Sequence, residues 1–494
     1  MAPDQASDYQ PDPRRWKALT VTLVAGFMNL LDVSIVAVAL PSIQRSLGTS
    51  ASGVQWVVSG YALAFGLALV PAGRLGDAIG RRTMFLAALS GFVLFSAAAG
   101  AAPTTGVLIA ARLAQGIAAG ALAPQNSALI QQLFRGAERG RAFGFFGSTV
   151  GISTAVGPVV GGVILALASG PEGWRWIFYV NVPIGVVALM LAARLIPKVE
   201  RGPREHTDLV GVGLLGAGVL AMMLPLVLAE AGGLARLWWL FPVGAIVLVS
   251  FVRWERRVVA RGRSPLLDIR LLTDTPGYGT GALLGTVYFI GFSGIWLVFA
   301  LYLQSGLGYT PLQSGLAVTP FAVGSAASAI VSGRLVARWG RGLTVTGLTM
   351  VVVGLAVAAV VLLVAPAASV GWWVAPALLF AGIGGGWVIS PNTTMTLRCV
   401  PVEMAGSAGG ALQTGQRIGG AIGTTALPGI FYAVLAMTRR AYPVAASVAV
   451  GAAVVSLLVA LAVAIVEWRA GVRRAEPGGA EPEHIPDHAR RGTR

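Results

Sequence analysis

The first residue able to do chemistry in an unusual setting is Asp32. It stands inside the apolar run 18–40, several residues from either end. A carboxyl at mid-bilayer depth costs at least ~2.5–3.5 kcal/mol on insertion scales, so its presence asks for a function. Burial disfavours the charged form, which suits such a group to loading and releasing a proton. Asn29 lies one turn earlier and is placed to share its face. Arg112 falls early in the run 107–130 and is the natural charge partner. An arginine at that depth must face the protein interior or water. If helix motion alters the Asp32–Arg112 pairing, proton affinity alters with conformation, a physical route to coupling. Gln115, three residues on, supports Arg112 from the same helix face. The alternative for the pair is structural: an acid bonded to neighbouring helices, or a static ion pair.

A second set of side chains could line a ligand cavity. Gln413, Gln416 and Arg417 lie in the run 406–435, and polar side chains inside a helix rarely face lipid. Arg417 suits an anionic group or an acid partner. Tyr288, Phe292, Trp296 and Phe299 step by four, four and three, so they share one helix face. With Trp56, Tyr61, Trp387 and Asn392 they would make an aromatic cavity with a few polar groups, suited to an amphipathic small molecule. For each aromatic, packing against lipid or a neighbouring helix is the alternative. Asp32 is the one acid found deep in a run, since Glu230 falls near the end of its own. A polycation would call for more carboxylates, so the expected substrate is neutral, zwitterionic or modestly charged.

Other chemistries lack their residues. Lys17 and Lys198 are the only lysines, and neither completes a G-x-x-x-x-G-K motif for binding nucleotide phosphates. Cys399 is the single cysteine, and His206, His484 and His488 fall in a loop or the tail. No zinc spacing or serine-hydrolase elbow is present, so no catalytic residue, metal or cofactor is assigned. The expected energy source is the proton-motive force, and the expected partners are a small molecule, protons and lipid.

The elements that position these residues follow from composition. Of 494 residues, 55% are hydrophobic and 11% charged, against about 25% charged in soluble domains. Spanning a bilayer takes roughly 20 mainly apolar residues. Such runs fall near 18–40, 54–73, 84–102, 107–130, 142–168, 177–196, 209–229, 237–253, 277–304, 313–333, 343–365, 372–396, 406–435 and 442–466, which predicts an all-α membrane protein of fourteen helices. The N-terminal stretch is polar and partly acidic, unlike a secretory signal, and the first run, with Asp32 inside it, reads as a retained helix.

The net charge of +16 is topological and does not mark a nucleic-acid partner. With the N-terminus in the cytoplasm, most of the 36 basic residues fall in inside loops. The outside loops keep Arg45, Arg175, Arg236, Arg439 and Arg440, while Arg112 and Arg417 lie within helices. The decapeptide from Gly73 to Arg82 recurs from Gly333 to Gly342 at an offset of 260 residues, with five identities. Equivalent loops on one side imply a parallel duplication. The expected organisation is an N-tail 1–16, a six-helix half 17–196, a linker 197–275 with two extra helices, a second half 276–467, and a disordered tail 468–494.

Several of these segments together resemble the major facilitator superfamily, and within it the fourteen-helix drug:proton antiporters. The loop with Gly73, Asp77, Gly80, Arg81 and Arg82 is similar to the superfamily signature between helices two and three. Leu31 to Pro41 resembles the first-helix motif, Leu108 to Gly120 the fourth-helix motif, and Trp174 to Pro183 the approach to helix six. Gly157, Pro158, Gly161 and Gly162 resemble the antiporter motif of helix five. The similarity runs from about Lys17 to Trp468. It implies two halves rocking about a central cavity, proton-coupled export of a drug, antibiotic or metabolite, and function as a monomer. It also implies proton handling by Asp32 and a cytoplasmic latch built on Asp77, Arg81 and Arg82. The Ala/Gly/Arg bias and the lack of a targeting segment point to a bacterial cytoplasmic membrane, and the loop charges to both termini inside. Ala337 stands where the second copy would need the aspartate, so the latch is expected to be asymmetric. A proton symporter for uptake is the nearer rival, and a non-transporting sensor on this fold the further one.

Overall fold

A computed structural model describes residues 12–168, 170–198, 208–229, 232–367, 369–438 and 441–475. The N-tail 1–11, the tail 476–494, His206, Glu230, Arg439 and Arg440 lie outside the described residues. Among those described the regular structure is all helical. The first half holds α1 (Arg15–Leu47), α2 (Ala51–Ile79), α3 (Arg81–Gly100), α4 (Thr105–Leu133), α5 (Gly136–Leu167), α6 (Trp176–Tyr179) and α7 (Asn181–Leu195). Between the halves come α8 (Leu209–Val227), α9 (Gly233–Leu237), α10 (Leu240–Ala260) and α11 (Arg270–Thr273). The second half holds α12 (Tyr278–Ser293), α13 (Ile295–Ala300), α14 (Pro311–Trp339), α15 (Arg341–Val364), α16 (Val370–Thr396), α17 (Ala405–Met437) and α18 (Tyr442–Ala475).

Helices satisfy their backbone groups internally, which a bilayer demands, and the sequence supplies caps where they begin. Ser50 and Thr104 accept the amides of Gly53 and Val107, and Thr310 forms a capping box with Gln313. The two copies of the repeated loop turn alike. Gly80 (φ 98°) and Gly340 (φ 51°) take left-handed angles that admit α3 and α15 directly after α2 and α14.

Twelve helices among the described residues are long and apolar enough to cross a membrane, against the fourteen expected. The remaining two runs are helical, as α5 and α10, but are not among the twelve. In α10 the apolar stretch gives way to Arg253, Glu255, Arg256 and Arg257. Two runs are broken. The expected helix 277–304 divides at Gly294 and ends in a π-helical turn, Leu301–Gly306; a Cβ on Gly294 would lie 2.1 Å from the Gly423 carbonyl oxygen, so α17 crosses there at backbone contact. The helix expected at 177–196 divides at Val180. At the other end, α18 continues through Arg469 to Ala475, into the stretch expected to be disordered.

The interior divides as the duplication implies. One core joins α1 to α5 and α7 and also takes in Tyr278 of α12, Leu397, Val400, and Ala408 and Leu412 of α17; another joins α12 to α18. Leu215, Val219 and Met223 of α8, Phe251 of α10, and Leu266, Leu267, Ile269 and Leu271 of the connecting chain all belong to the first core. The inserted pair and the linker thus pack into this core. The outer part of α8 also reaches both halves, since its Val227 and Leu226 carbonyls accept from Ser59 of α2 and Thr425 of α17.

Candidate functional site

Asp32 and Arg112 are each 1% exposed and face one another inside the first half. Arg112 Nη1 donates to Asp32 Oδ2 at 2.5 Å and to Gln115 Oε1 at 2.7 Å, while its Nε donates to the Val57 carbonyl at 3.2 Å. The other carboxylate oxygen, Oδ1, accepts from Gln115 Nε2 and from Asn181 Nδ2, both at 3.1 Å. Asn181 also donates to Ser96 Oγ, which donates to the Phe178 carbonyl. The carboxylate therefore has three donors drawn from α4 and α7. Charge-assisted bonds of this kind offset the desolvation of both ions.

The guanidinium also lies over the Tyr61 ring at 4.1 Å, with Phe178 at 5.6 Å. Tyr61 donates to Asn29 Oδ1 at 2.6 Å, and Asn29 donates to the Ala119 carbonyl. So Asn29 reaches the pair through Tyr61 and does not touch Asp32 directly. Tyr61, read from sequence as a cavity wall, is fully buried inside this network. Asn181 received no role from the sequence. The available signal was a carboxamide at the start of a membrane helix, two residues before Pro183.

The halves meet at the end that carries the repeated loops, here called the basic end. Asp77 Oδ1 accepts the Gly406 amide at 3.0 Å and Oδ2 accepts the Ser407 amide at 2.9 Å, placing an anion on the N-terminus of α17. Arg81 bonds Asp77 at 3.3 Å, the Ala128 carbonyl at 3.0 Å and, across the halves, the Val402 carbonyl. Gly73 permits this approach, because a Cβ there would stand 2.3 Å from the Gly406 carbonyl oxygen. Arg82 instead donates to Ala193 within its own half, so it lies outside the cross-half contact. Between this closure and the linker lies a cavity of about 940 Å³ lined by Arg74, Arg82, Lys198, Arg263 and Asp268.

The second copy has a different arrangement. Arg341, the counterpart of Arg81, donates to Asn392 Oδ1 at 2.5 Å and to Glu467 at 2.7 Å, both in its own half. Asn392 donates in turn to the Gly281 carbonyl. Read from sequence as a cavity residue, it sits buried at the basic end, because α16 runs far enough to bring it beside the start of α15.

The helix-five motif divides likewise. Gly157 packs on Ser34 of α1, where a Cβ would come within 2.3 Å. Gly161 is buried, Gly162 faces open space, and the Pro158 side chain lies outside the described residues. Contact of α5 with the other half comes earlier in the helix. Cβ atoms on Gly140 and Gly144 would meet the Gly333 and Ala329 carbonyls at 2.7 and 2.8 Å.

Of the remaining cavity candidates, Tyr288, Phe292 and Trp296 form one aromatic cluster with Phe321: Tyr288 stacks on Phe292 at 5.2 Å, and Trp296 meets Phe321 at 4.7 Å. Phe299 is buried beyond the break at Gly294 and takes no part in it. Trp56 packs against the first core, and Trp387 lies against Gly347 of α15. Gln413 donates to the Ala123 carbonyl across the halves at 3.4 Å, and Gln416 lies beside Gly285. Arg417 lies over the Phe65 ring at 4.1 Å.

One further acid was not singled out by the sequence. Glu255, past the apolar stretch of α10, is fully buried, and neither carboxylate oxygen closes a hydrogen bond. Burial, then the nearby charges of Asp208 and Asp268, push its pKa up to about 7, only partly countered by the amides of Leu266 and Leu267.

Comparison with known proteins agrees with this architecture. The family profile described as Major Facilitator Superfamily matches residues 22–424. The chain is 37% identical over 430 residues to the puromycin resistance protein pur8 of Streptomyces alboniger, covering 86% of this chain and 83% of that protein. It is 35% identical over 427 residues to a probable actinorhodin transporter of Streptomyces coelicolor, covering 86% and 74%. Among solved structures, the human organic anion transporter MFSD10 superposes with a TM-score of 0.66 over 92% of this chain and all (100%) of that one, at 15% identity.

Proposed function

The chain belongs to the major facilitator superfamily, and from that premise we propose that it is a proton-coupled antiporter exporting a small organic molecule by alternating access. It is a multi-pass membrane transporter and not an enzyme. Its relatives include a probable antibiotic transporter and an antibiotic resistance protein, which supports export of an antibiotic-like or other drug-like compound.

The observation that carries the reading is the buried Asp32–Arg112 pair, lodged in one half within reach of helices that must move relative to the other. By the distribution of arginines the basic end faces the cytoplasm. Its closure by Asp77 and Arg81 then makes this a conformer shut toward the cytoplasm. A proton arriving from outside neutralises Asp32 and loosens its hold on Arg112. The halves then rock, the Asp77 contacts to α17 open, and the proton leaves to the cytoplasm as substrate binds. Each proton crossing 100 mV supplies ~2.3 kcal/mol, which offsets a substantial substrate gradient.

The test is transport in inside-out vesicles with a pH dye and a panel of drug-like compounds. Uptake into the lumen with matching proton efflux is the expected result, and Asp32→Asn abolishes it. Proton and substrate moving in the same direction would replace the antiporter by a symporter.

A further inference from the structure

Two cations and one anion lie at the centre of this transporter, and their arrangement points to the charge of its substrate. Asp32 is already matched by Arg112. Arg417 has no such partner: among the described residues its guanidinium lies over the Phe65 ring and near Tyr61, and no carboxylate pairs with it. It stands in the interior of α17, whose bounds are Ala405–Met437, and it keeps part of its surface accessible. It does not face lipid. Gln413, one turn earlier on the same side, reaches α4 of the other half, and Phe65 belongs to α2. Arg417 therefore borders the space between the halves.

The same contacts connect Arg417 to the proton site. Arg112 covers Tyr61 at 4.1 Å, Tyr61 and Phe65 lie 6.2 Å apart, and Arg417 covers Phe65 at 4.1 Å. Two guanidinium groups thus cap the two ends of an aromatic pair. An arginine held deep in a membrane protein without a counter-charge is costly. The ring faces repay only part of that cost. A guanidinium is also a fork matched to two oxygens of one acid.

We propose that Arg417 selects the substrate by charge, pairing with an ionised acidic group, a carboxylate or a similarly acidic oxygen, on an aromatic or otherwise apolar molecule. This rests on the exporter reading and names its substrate class. The ligand's acid supplies the missing negative charge, and its apolar body lies toward Phe65 and the Tyr288–Phe292–Trp296 cluster. A cationic ligand would meet Arg417 as a like charge, with Asp32 already occupied by Arg112.

The experiment uses the full chain in lipid nanodiscs and three probes that share one ring system: pyrenebutyrate, its methyl ester, and pyrenebutylammonium. Quenching of tryptophan emission reports binding. The anion should bind about tenfold or more tightly than the ester or the cation, the worth of a charge-assisted hydrogen bond. Arg417→Gln should remove the preference, and Arg417→Lys should keep part of it. Phe65→Glu, which sets an internal carboxylate under the guanidinium, should remove it with Arg417 in place. Failure of pyrenebutyrate to outbind the other two, or a preference that survives Arg417→Gln, overturns the proposal. Proton-coupled transport in vesicles is measured separately. Absence of the anion preference in the parent protein with coupling intact rejects the role of Arg417 alone, whereas anion binding without coupled transport rejects the exporter reading and leaves the anion site standing.

Discussion

The pair at the centre of the first half allows its structural role to be separated from its chemistry. Asp32→Asn preserves size and the capacity to meet Gln115 and Asn181, but it removes both the negative charge and the proton-carrying oxygen. Arg112 is then a buried cation without its counter-ion. Breaking a buried pair by removing one partner costs about 3–5 kcal/mol. The lower end applies here, because Arg112 keeps Gln115 Oε1, the Val57 carbonyl and the Tyr61 ring. Arg112→Gln leaves the carboxylate with the Gln115 and Asn181 donors and should cost a similar amount. In the double variant no orphan charge remains, so its loss should fall short of the sum of the singles by about 2 kcal/mol or more, within the range found for residues in direct contact. Thermal unfolding of the purified protein in detergent measures all three. Proton-coupled transport in liposomes should be absent in both variants that lack Asp32, including the one whose stability has returned. Additive destabilisation would show that the two side chains do not form an energetic pair. Coupling that survives in Asp32→Asn would remove the proton from this site altogether.

The closure at the basic end gives a second test. Asp77→Asn weakens two charge-assisted bonds to the α17 amides, each worth about 1.5–3 kcal/mol, so reagent access from the basic end to a cysteine placed at Gln125 should rise at least tenfold. At the crossing of α5 and α14, a Cβ on Gly333 would lie 2.5 Å from the Gly140 carbonyl oxygen. Gly333→Val should therefore splay the basic end, seen as a longer spin-label separation between α5 and α14, and slow transport; an unchanged distance would refute the packing argument. Glu255 supplies a pH prediction. Its folded pKa, about 7, lies above the ordinary 4.5, so the folded chain binds more protons between those values and loses stability as pH rises through that window. Glu255→Gln should match the parent near pH 4.5 and exceed it in thermal midpoint at pH 8, and an equal pH slope in the two proteins would contradict this.

The sequence by itself determined depth. Apolar runs place Asp32, Arg112 and Arg417 inside the bilayer, and the repeat at an offset of 260 residues announces two equivalent halves. Loop arginines set the expected orientation. These properties are readable because hydropathy, charge and repetition run along one dimension. Which side chains meet is a different matter, fixed by the rotation of each helix about its axis and by which helices lie side by side. Only the tertiary structure brought Asn181 to Asp32 from 149 residues away. It turned Asn392 from a cavity wall into the partner of Arg341, set Tyr61 under Arg112, and buried Glu255 against the linker. It placed glycine contacts between α5 and the second half at Gly140 and Gly144. All of these depend on contacts between segments distant in the chain, where periodicity carries no information.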